Sequence, residues 1–282
     1  MIGSVLIGGL GNQMFQYAIA RKMAIKNNTK VILEVGGFKN MDAADTPRSY
    51  ELDCYKIQAR LAHEIKLNQG GLMGVLKRDS LITTYSEPHH EFDGNALKQS
   101  DRTIYRGYWQ TEKYFLDVRK QLLEDFDLKG PLAGDDLKLL ESIRTSNSVS
   151  IHVRRGDYIS NKNANQFHGT KDIEYYTKAL EIIKRKESNL KLYIFSDDIE
   201  WCKKALASLH EDTVFVDGNR PGHIDMYLMK NCKHNIIANS SFSWWGAWLN
   251  ENKSKIVVAP KEWFKDSSIN TGDVLPSSWF KI

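Results

Sequence analysis

Cysteine and proline are scarce in this chain, with three and six residues respectively, and long apolar runs and an excess of either charge are missing too. Cys54, Cys202 and Cys232 are odd in number, far apart and in no CxxC arrangement, so a disulfide framework is not expected and a reducing compartment fits. No window approaches the roughly 18 to 20 uninterrupted apolar residues of a membrane span. Met1 to Ala20 lacks a basic start and carries Gly8, Gly9, Gly11, Asn12 and Gln13, unlike a signal peptide. The expectation is a cytoplasmic protein, at most peripheral at the inner membrane. The 39 basic and 35 acidic residues, net +4, are spread along the sequence, which gives no electrostatic footprint for nucleic acid. A local anion site remains open.

What is present is a globular composition, 41% apolar and 26% charged over 282 residues, long enough for two cores. An apolar strand over 4–7, a Gly-rich turn, a helix over 13–26 and a second strand over 30–35 predict a right-handed β-α-β unit with parallel strands. Residues 36–100 carry helical hints at 61–76 and loop chemistry at 87–95, and 103–108 reads as a strand. A helical stretch over 113–126 leads into Lys129-Gly130-Pro131, the best linker, so the expected domains are 1–130 and 131–282. Beyond it strands at 148–153, 191–195, 213–216, 235–238 and 256–259 alternate with helices at 173–186, 199–209, 224–231 and 243–249. That rhythm predicts a doubly wound parallel sheet, with ligands at the carboxyl ends of the strands.

Four segments at such ends carry chemistry. Gly8-Gly9-Leu10-Gly11-Asn12-Gln13 follows a strand and opens a helix, where backbone N–H groups accept an anion. As a dinucleotide fingerprint it has Glu34 at the next strand's end, but Met14 stands where the third glycine belongs, and no Lys-Ser/Thr pair makes a P-loop. In Ile151-His152-Val153-Arg154-Arg155-Gly156-Asp157-Tyr158, His152 and Arg154 share a strand face, and two arginines suit a diphosphate; a structural Arg-Asp ion pair is the competing explanation. Phe195-Ser196-Asp197-Asp198 offers Asp197 to guanine or ribose, while Asp198 fits a helix N-cap. Asn239-Ser240-Ser241-Phe242-Ser243 places donors at a helix start, with Phe242 as a flat surface for a base; Trp244, Trp245 and Trp248 serve packing or contact.

Together these segments resemble the bacterial α-1,2-fucosyltransferases of glycosyltransferase family 11, which share a GGLGNQMFQYA-like start and HxRRGDY, FSDD and SxFSWWGAWL segments. Gly107-Tyr108-Trp109-Gln110 is similar to a further family segment. The resemblance implies a GT-B-like α/β fold of two Rossmann-like, doubly wound domains facing across a cleft, with the acceptor on the N-terminal and GDP-fucose on the C-terminal domain. It implies inverting transfer of L-fucose from GDP-β-L-fucose to the 2-hydroxyl of a galactose-terminated oligosaccharide or lipid-linked glycan. Carried across, the donor site is His152, Arg154, Arg155, Asp197, Ser240, Ser241, Phe242 and Asn12, and the acceptor-side candidates are Gln13, Trp109 and Tyr158. Arg154 and Arg155 would stabilise departing GDP, and Asp157, on the loop past Arg155, is the candidate general base. No cofactor and no metal are expected, because the single DxD match, Asp125-Phe126-Asp127, sits at a helix tail. The runner-up is an NAD-dependent Rossmann enzyme acting on a nucleotide sugar, motivated by the N-terminal turn and Glu34.

Overall fold

The opening apolar run forms strand β1 (Ile2–Val5) in a computed structural model that describes residues 1–39, 47–62, 82–156, 169–217, 219–266 and 268–282. The chain divides into two units, Met1–Lys129 with Gly272–Val274, and Gly130–Thr271 with Leu275–Ile282. In the first unit, Gly8 turns the chain after β1 at φ +74°, a left-handed value that favours glycine. Helix α1 (Leu10–Lys26) then begins with Gly9 as N-cap, earlier than Gln13, because the glycine turn is tighter than the polar spacing indicated. Met14, Phe15, Tyr17, Ala18 and Ile19 are all buried, so the helix is enclosed rather than amphipathic.

Strands β2 (Val31–Glu34), β3 (Ala59–Leu61), β4 (Thr83–Ser86) and β5 (Thr103–Arg106) complete a parallel sheet in the order β3-β2-β1-β5-β4. The edge strands β3 and β4 escape the sequence reading. Arg60 on β3 and the Thr-Thr-Tyr-Ser of β4 bury little and give no apolar run. The helical hint at 61–76 is wrong at Leu61, which ends β3; 63–81 lie outside the described residues. The helix expected over 113–126 is shorter: two single turns, Glu112–Tyr114 and Leu116–Val118, precede α2 (Arg119–Asp125).

The second unit runs α3 (Gly134–Thr145), β6 (Asn147–Val153), α4 (Ile173–Lys184), β7 (Leu190–Ser196), α5 (Ile199–Ala205), β8 (Thr213–Phe215), α6 (Gly222–Lys230), β9 (His234–Ile236), α7 (Ser241–Trp248), β10 (Val257–Ala259) and β11 (Phe280–Lys281). All of its strand pairs are parallel, in the order β11-β10-β9-β6-β7-β8, the strand order of a dinucleotide-type doubly wound sheet. β6 is buried over almost its whole length, as a central parallel strand covered on both faces must be. Asp172 caps α4 by accepting from the Tyr175 N–H at 2.8 Å. Tyr175, Tyr176, Ala179, Leu180 and Ile183 then line the buried stripe of α4 against β6 and its neighbours.

Candidate functional site

In the second unit the winding of the strand order reverses between β6 and β9, so their carboxyl ends form the switch point where doubly wound sheets take ligands. His152, near the end of β6, is 4% exposed, and its ring lies 5.4 Å from that of Phe242. Burial pushes its pKa down to about 3, against the pull of Asp197 and with the push of Arg154. The ring is therefore neutral at physiological pH, and its Nδ1 has no hydrogen-bond partner. Such an imidazole has one nitrogen that donates and one that accepts, according to its tautomer.

Arg154 pairs through Nη1 with Asp197 Oδ2 at 2.8 Å. Arg155 donates from its backbone N–H to Asp197 Oδ1 at 2.9 Å and from Nε to Asp198 Oδ2 at 3.2 Å, and its guanidinium lies 3.9 Å from the Trp201 ring centroid. The competing explanation thus holds in part, since both arginines make ion pairs. Arg155 is clamped between a carboxylate and an indole, which makes it a fixed charge rather than a mobile ligand hand. Asp197 accepts at both oxygens from the arginine segment, and each oxygen keeps a further lone pair for a guanine edge or a ribose hydroxyl. Asp198 caps α5 as expected, accepting from the Trp201 N–H at 3.2 Å. A Cβ at Gly156 would come within 2.8 Å of Asp197 Oδ2, so only glycine lets the chain leave β6 this closely.

At the end of β9, Ser240 is the N-cap of α7 without closing a side-chain cap bond. The first-turn N–H groups of a helix lack intrahelical acceptors, and beside two serine hydroxyls they make an anion cradle. Phe242 lies between the His152 ring and Gly222, whose added Cβ would sit 3.3 Å from its ring. Trp244, Trp245 and Trp248 are buried and pack with one another and Trp279; they are core.

The sequence reading missed Asp225 and Arg220. Asp225 sits in the first turn of α6, the helix that also carries Gly222 against Phe242. Arg220 Nε pairs with Asp136 at 3.1 Å and its Nη1 stops 3.7 Å from Asp225 Oδ1, so neither Nη1 nor Oδ1 is hydrogen-bonded although both are buried. Burial raises the Asp225 pKa to about 7, against the pull of Arg220 and with a further push from Asp136. The residue stands in no recognisable motif, and only tertiary burial singles it out.

In the first unit, Asn12 accepts from Gln110 Nε2 at 2.8 Å. The acceptor-side assignments of Gln13 and Trp109 need correction. Gln13 is fully buried, donating to the Gly8 and Ser49 carbonyls at 3.0 and 2.7 Å and accepting from the Glu51 N–H at 2.9 Å, which satisfies its amide internally. Trp109 is fully buried among Tyr85, Tyr105 and Tyr114, so it presents no face to a sugar. The dinucleotide alternative also fails here. The Leu10 N–H donates to the Glu51 carboxylate, which occupies the helix entry a pyrophosphate would need, and Glu34 accepts from the Gly36 N–H at 2.7 Å rather than facing a ribose. Asp125, of the DxD match, is 4% exposed and accepts from the Tyr17 hydroxyl at 2.6 Å and Arg21 Nε at 2.8 Å, tying α1 to α2. Asp157 and Tyr158 lie outside the described residues.

A neutral imidazole, an aromatic ring, a fixed pair of guanidiniums and an uncapped helix start are groups that can meet an aromatic base and a diphosphate. The chain matches the model of Glycosyl transferase family 11 over residues 1–282. It is 36% identical over 285 residues to the α-1,2-colitosyltransferase of Escherichia coli, covering 98% of this chain and 97% of that protein. It is 32% identical over 306 residues to the O-antigen biosynthesis glycosyltransferase WbnK of Escherichia coli, covering 99% of each. Among solved structures, fucosyltransferase NodZ from Bradyrhizobium, which has also been crystallised with GDP, superposes with a TM-score of 0.52 at 14% identity, covering 87% of this chain and 91% of that one. The likeness is one of fold, two Rossmann-like units of the GT-B class. With the family model spanning every residue and relatives matched end to end, the chain belongs to glycosyl transferase family 11.

Proposed function

We propose that this glycosyltransferase moves L-fucose from GDP-β-L-fucose to the 2-hydroxyl of a galactoside, with inversion, to give an α-1,2 link. The observation that carries the reading is the switch point of the second sheet, where Arg154, Arg155 and the start of α7 gather positive charge and N–H donors beside His152 and Phe242. Loss of GDP leaves negative charge on the β-phosphate, and preorganised cations and backbone donors stabilise it without a metal. Arg154, the more exposed of the two guanidiniums, contacts the diphosphate, and the clamped Arg155 adds its charge. The O-antigen relative supports an oligosaccharide acceptor.

The α-1,2-colitosyltransferase relative favours a second donor. Colitose is L-fucose lacking the 3-hydroxyl, so the same site would serve GDP-colitose. Incubation with each GDP sugar and a galactoside panel in excess EDTA, read by mass spectrometry and linkage analysis, tests all of this. The expected product is an α-1,2-fucosylated galactoside, formed at most of the rate seen without EDTA. Preference for GDP-colitose corrects the donor, and a hundredfold loss in EDTA restored by manganese overturns metal independence.

Asp225 takes the role of guanine reader, since its unbonded Oδ1 can accept from the N1–H and N2–H₂ edge donors of the base. Only the ionised carboxylate serves both. Ionisation is held up to about pH 7, so affinity for GDP-fucose is lost as pH falls through about 7, by up to tenfold per unit, and levels off above it. GDP-fucose itself does not titrate in this window. Calorimetric titration from pH 5.5 to 8.5 without acceptor should show that slope, and Asp225→Asn should flatten it and weaken binding at pH 8 by about tenfold or more. A variant that keeps the wild-type slope removes Asp225 from the site.

A further inference from the structure

The first unit has its own switch point, between β1 and β5, and the segments leaving these two strands are stapled together. Gln16 accepts from the Ile7 N–H at 3.0 Å and donates to the Gly107 carbonyl at 3.1 Å. Past β5 the chain takes an unusual path. Gly107 has φ +152° and Trp109 φ +58°, and the Glu87 carboxylate accepts from the N–H groups of Tyr108 and Trp109 at 2.6 and 2.9 Å. A left-handed tryptophan is costly. It persists because its ring is enclosed by Tyr85, Tyr105 and Tyr114. The consequence of this winding is the position of the next residue, Gln110.

Gln110 is 9% exposed and donates from Nε2 to Asn12 Oδ1 at 2.8 Å, while its Oε1 is buried without a partner. Leaving a buried carbonyl oxygen unbonded costs stability that an apolar residue of the same shape would keep. Asn12, partly exposed, has an Nδ2 that packs against Gly8 and donates no hydrogen bond among the described residues. The two amides thus hold a buried acceptor and an available donor next to each other. A phosphate cannot satisfy the acceptor, since it brings only lone pairs, and an ammonium cannot satisfy the donor. A neutral hydroxyl, which both donates and accepts, satisfies both.

We propose that Gln110 is a specificity-determining residue that binds one hydroxyl of the acceptor sugar at Oε1, with Asn12 as the adjoining donor. The inference rests on the galactoside-acceptor reading above and names the residue that enforces it. A buried group built to bond a hydroxyl discriminates strongly against analogues lacking it, because the analogue leaves that group unpaired.

Gln110→Met keeps volume and removes both polar atoms. The acceptor KM should rise about tenfold or more, while GDP-fucose affinity measured by calorimetry stays within twofold. Among mono-deoxy galactosides altered elsewhere than the 2-position, one should lose a similar factor with the wild-type enzyme and lose nothing further with the variant. An acceptor KM within twofold of wild type overturns the proposal, as does additive loss in variant and deoxy acceptor. If Gln110→Met does not fold, the wild-type enzyme decides, since equal use of every such deoxy acceptor also overturns it. A wild-type enzyme that takes no galactoside at all refutes the acceptor reading instead, and the same comparison is then made on mono-deoxy forms of the hydroxylated acceptor it does take.

Discussion

Replacing Arg154 by lysine is expected to lower turnover by about a hundredfold to a thousandfold, equivalent to about 3 to 4 kcal/mol, as for deletion of one donor from an oxyanion site. The guanidinium is planar and forked, and with Nη1 on Asp197 at 2.8 Å it is held in one orientation toward the switch point. A lysine ammonium can still reach a carboxylate as a point charge, but it cannot hold Asp197 and a phosphate oxygen in one plane. That asymmetry separates catalysis from stability. The variant should unfold within about 2 to 4 °C of wild type, the shift expected for about 1 kcal/mol, because the Asp197 pair survives in weaker form. Steady-state kinetics beside a thermal melt check this. Full activity, or a protein already unfolded at the assay temperature, makes Arg154 a purely structural partner of Asp197.

Asp157→Asn is expected to lower kcat by about a hundredfold or more, the minimum typical of general base catalysis, with GDP-fucose affinity unchanged. An inverting displacement requires the acceptor hydroxyl to lose its proton as it attacks. We propose Asp157 as the group that takes it, on its place in the sequence two residues beyond Arg155. The local structure adds one constraint. Gly156 passes so near Asp197 that a Cβ would lie 2.8 Å from its Oδ2, so position 156, just before Asp157, admits only glycine. If Asp157 instead orients an arginine, its loss weakens donor binding more than turnover, and the split between calorimetric affinity and kcat tells the two apart. More than about a tenth of wild-type turnover in Asp157→Asn refutes the base, because proton-transfer catalysis is worth at least tenfold more than that.

The long buried elements are legible in the sequence. β6, β7, α4 and α7 lie within a few residues of their expected positions, because parallel strands covered on both faces read as continuous apolar runs. The polar, three- to four-residue strands β3 and β4 were not legible, since pairing at a sheet edge needs backbone groups and little side-chain pattern.

The sequence by itself determined the family and singled out the candidate donor-site residues. His152, Arg154, Arg155, Ser240, Ser241 and Phe242 lie at strand ends whose position follows from apolar periodicity, and their order along the chain carries the resemblance. Tertiary structure alone decided which polar residues remain available to a ligand. Hydrogen-bond satisfaction depends on partners far apart in the chain: Asp125 is taken by Tyr17 and Arg21, and Gln13 by Ser49 and Glu51. Asp225 and Gln110 keep buried oxygens to which no protein group donates, a condition that no local pattern of residues encodes.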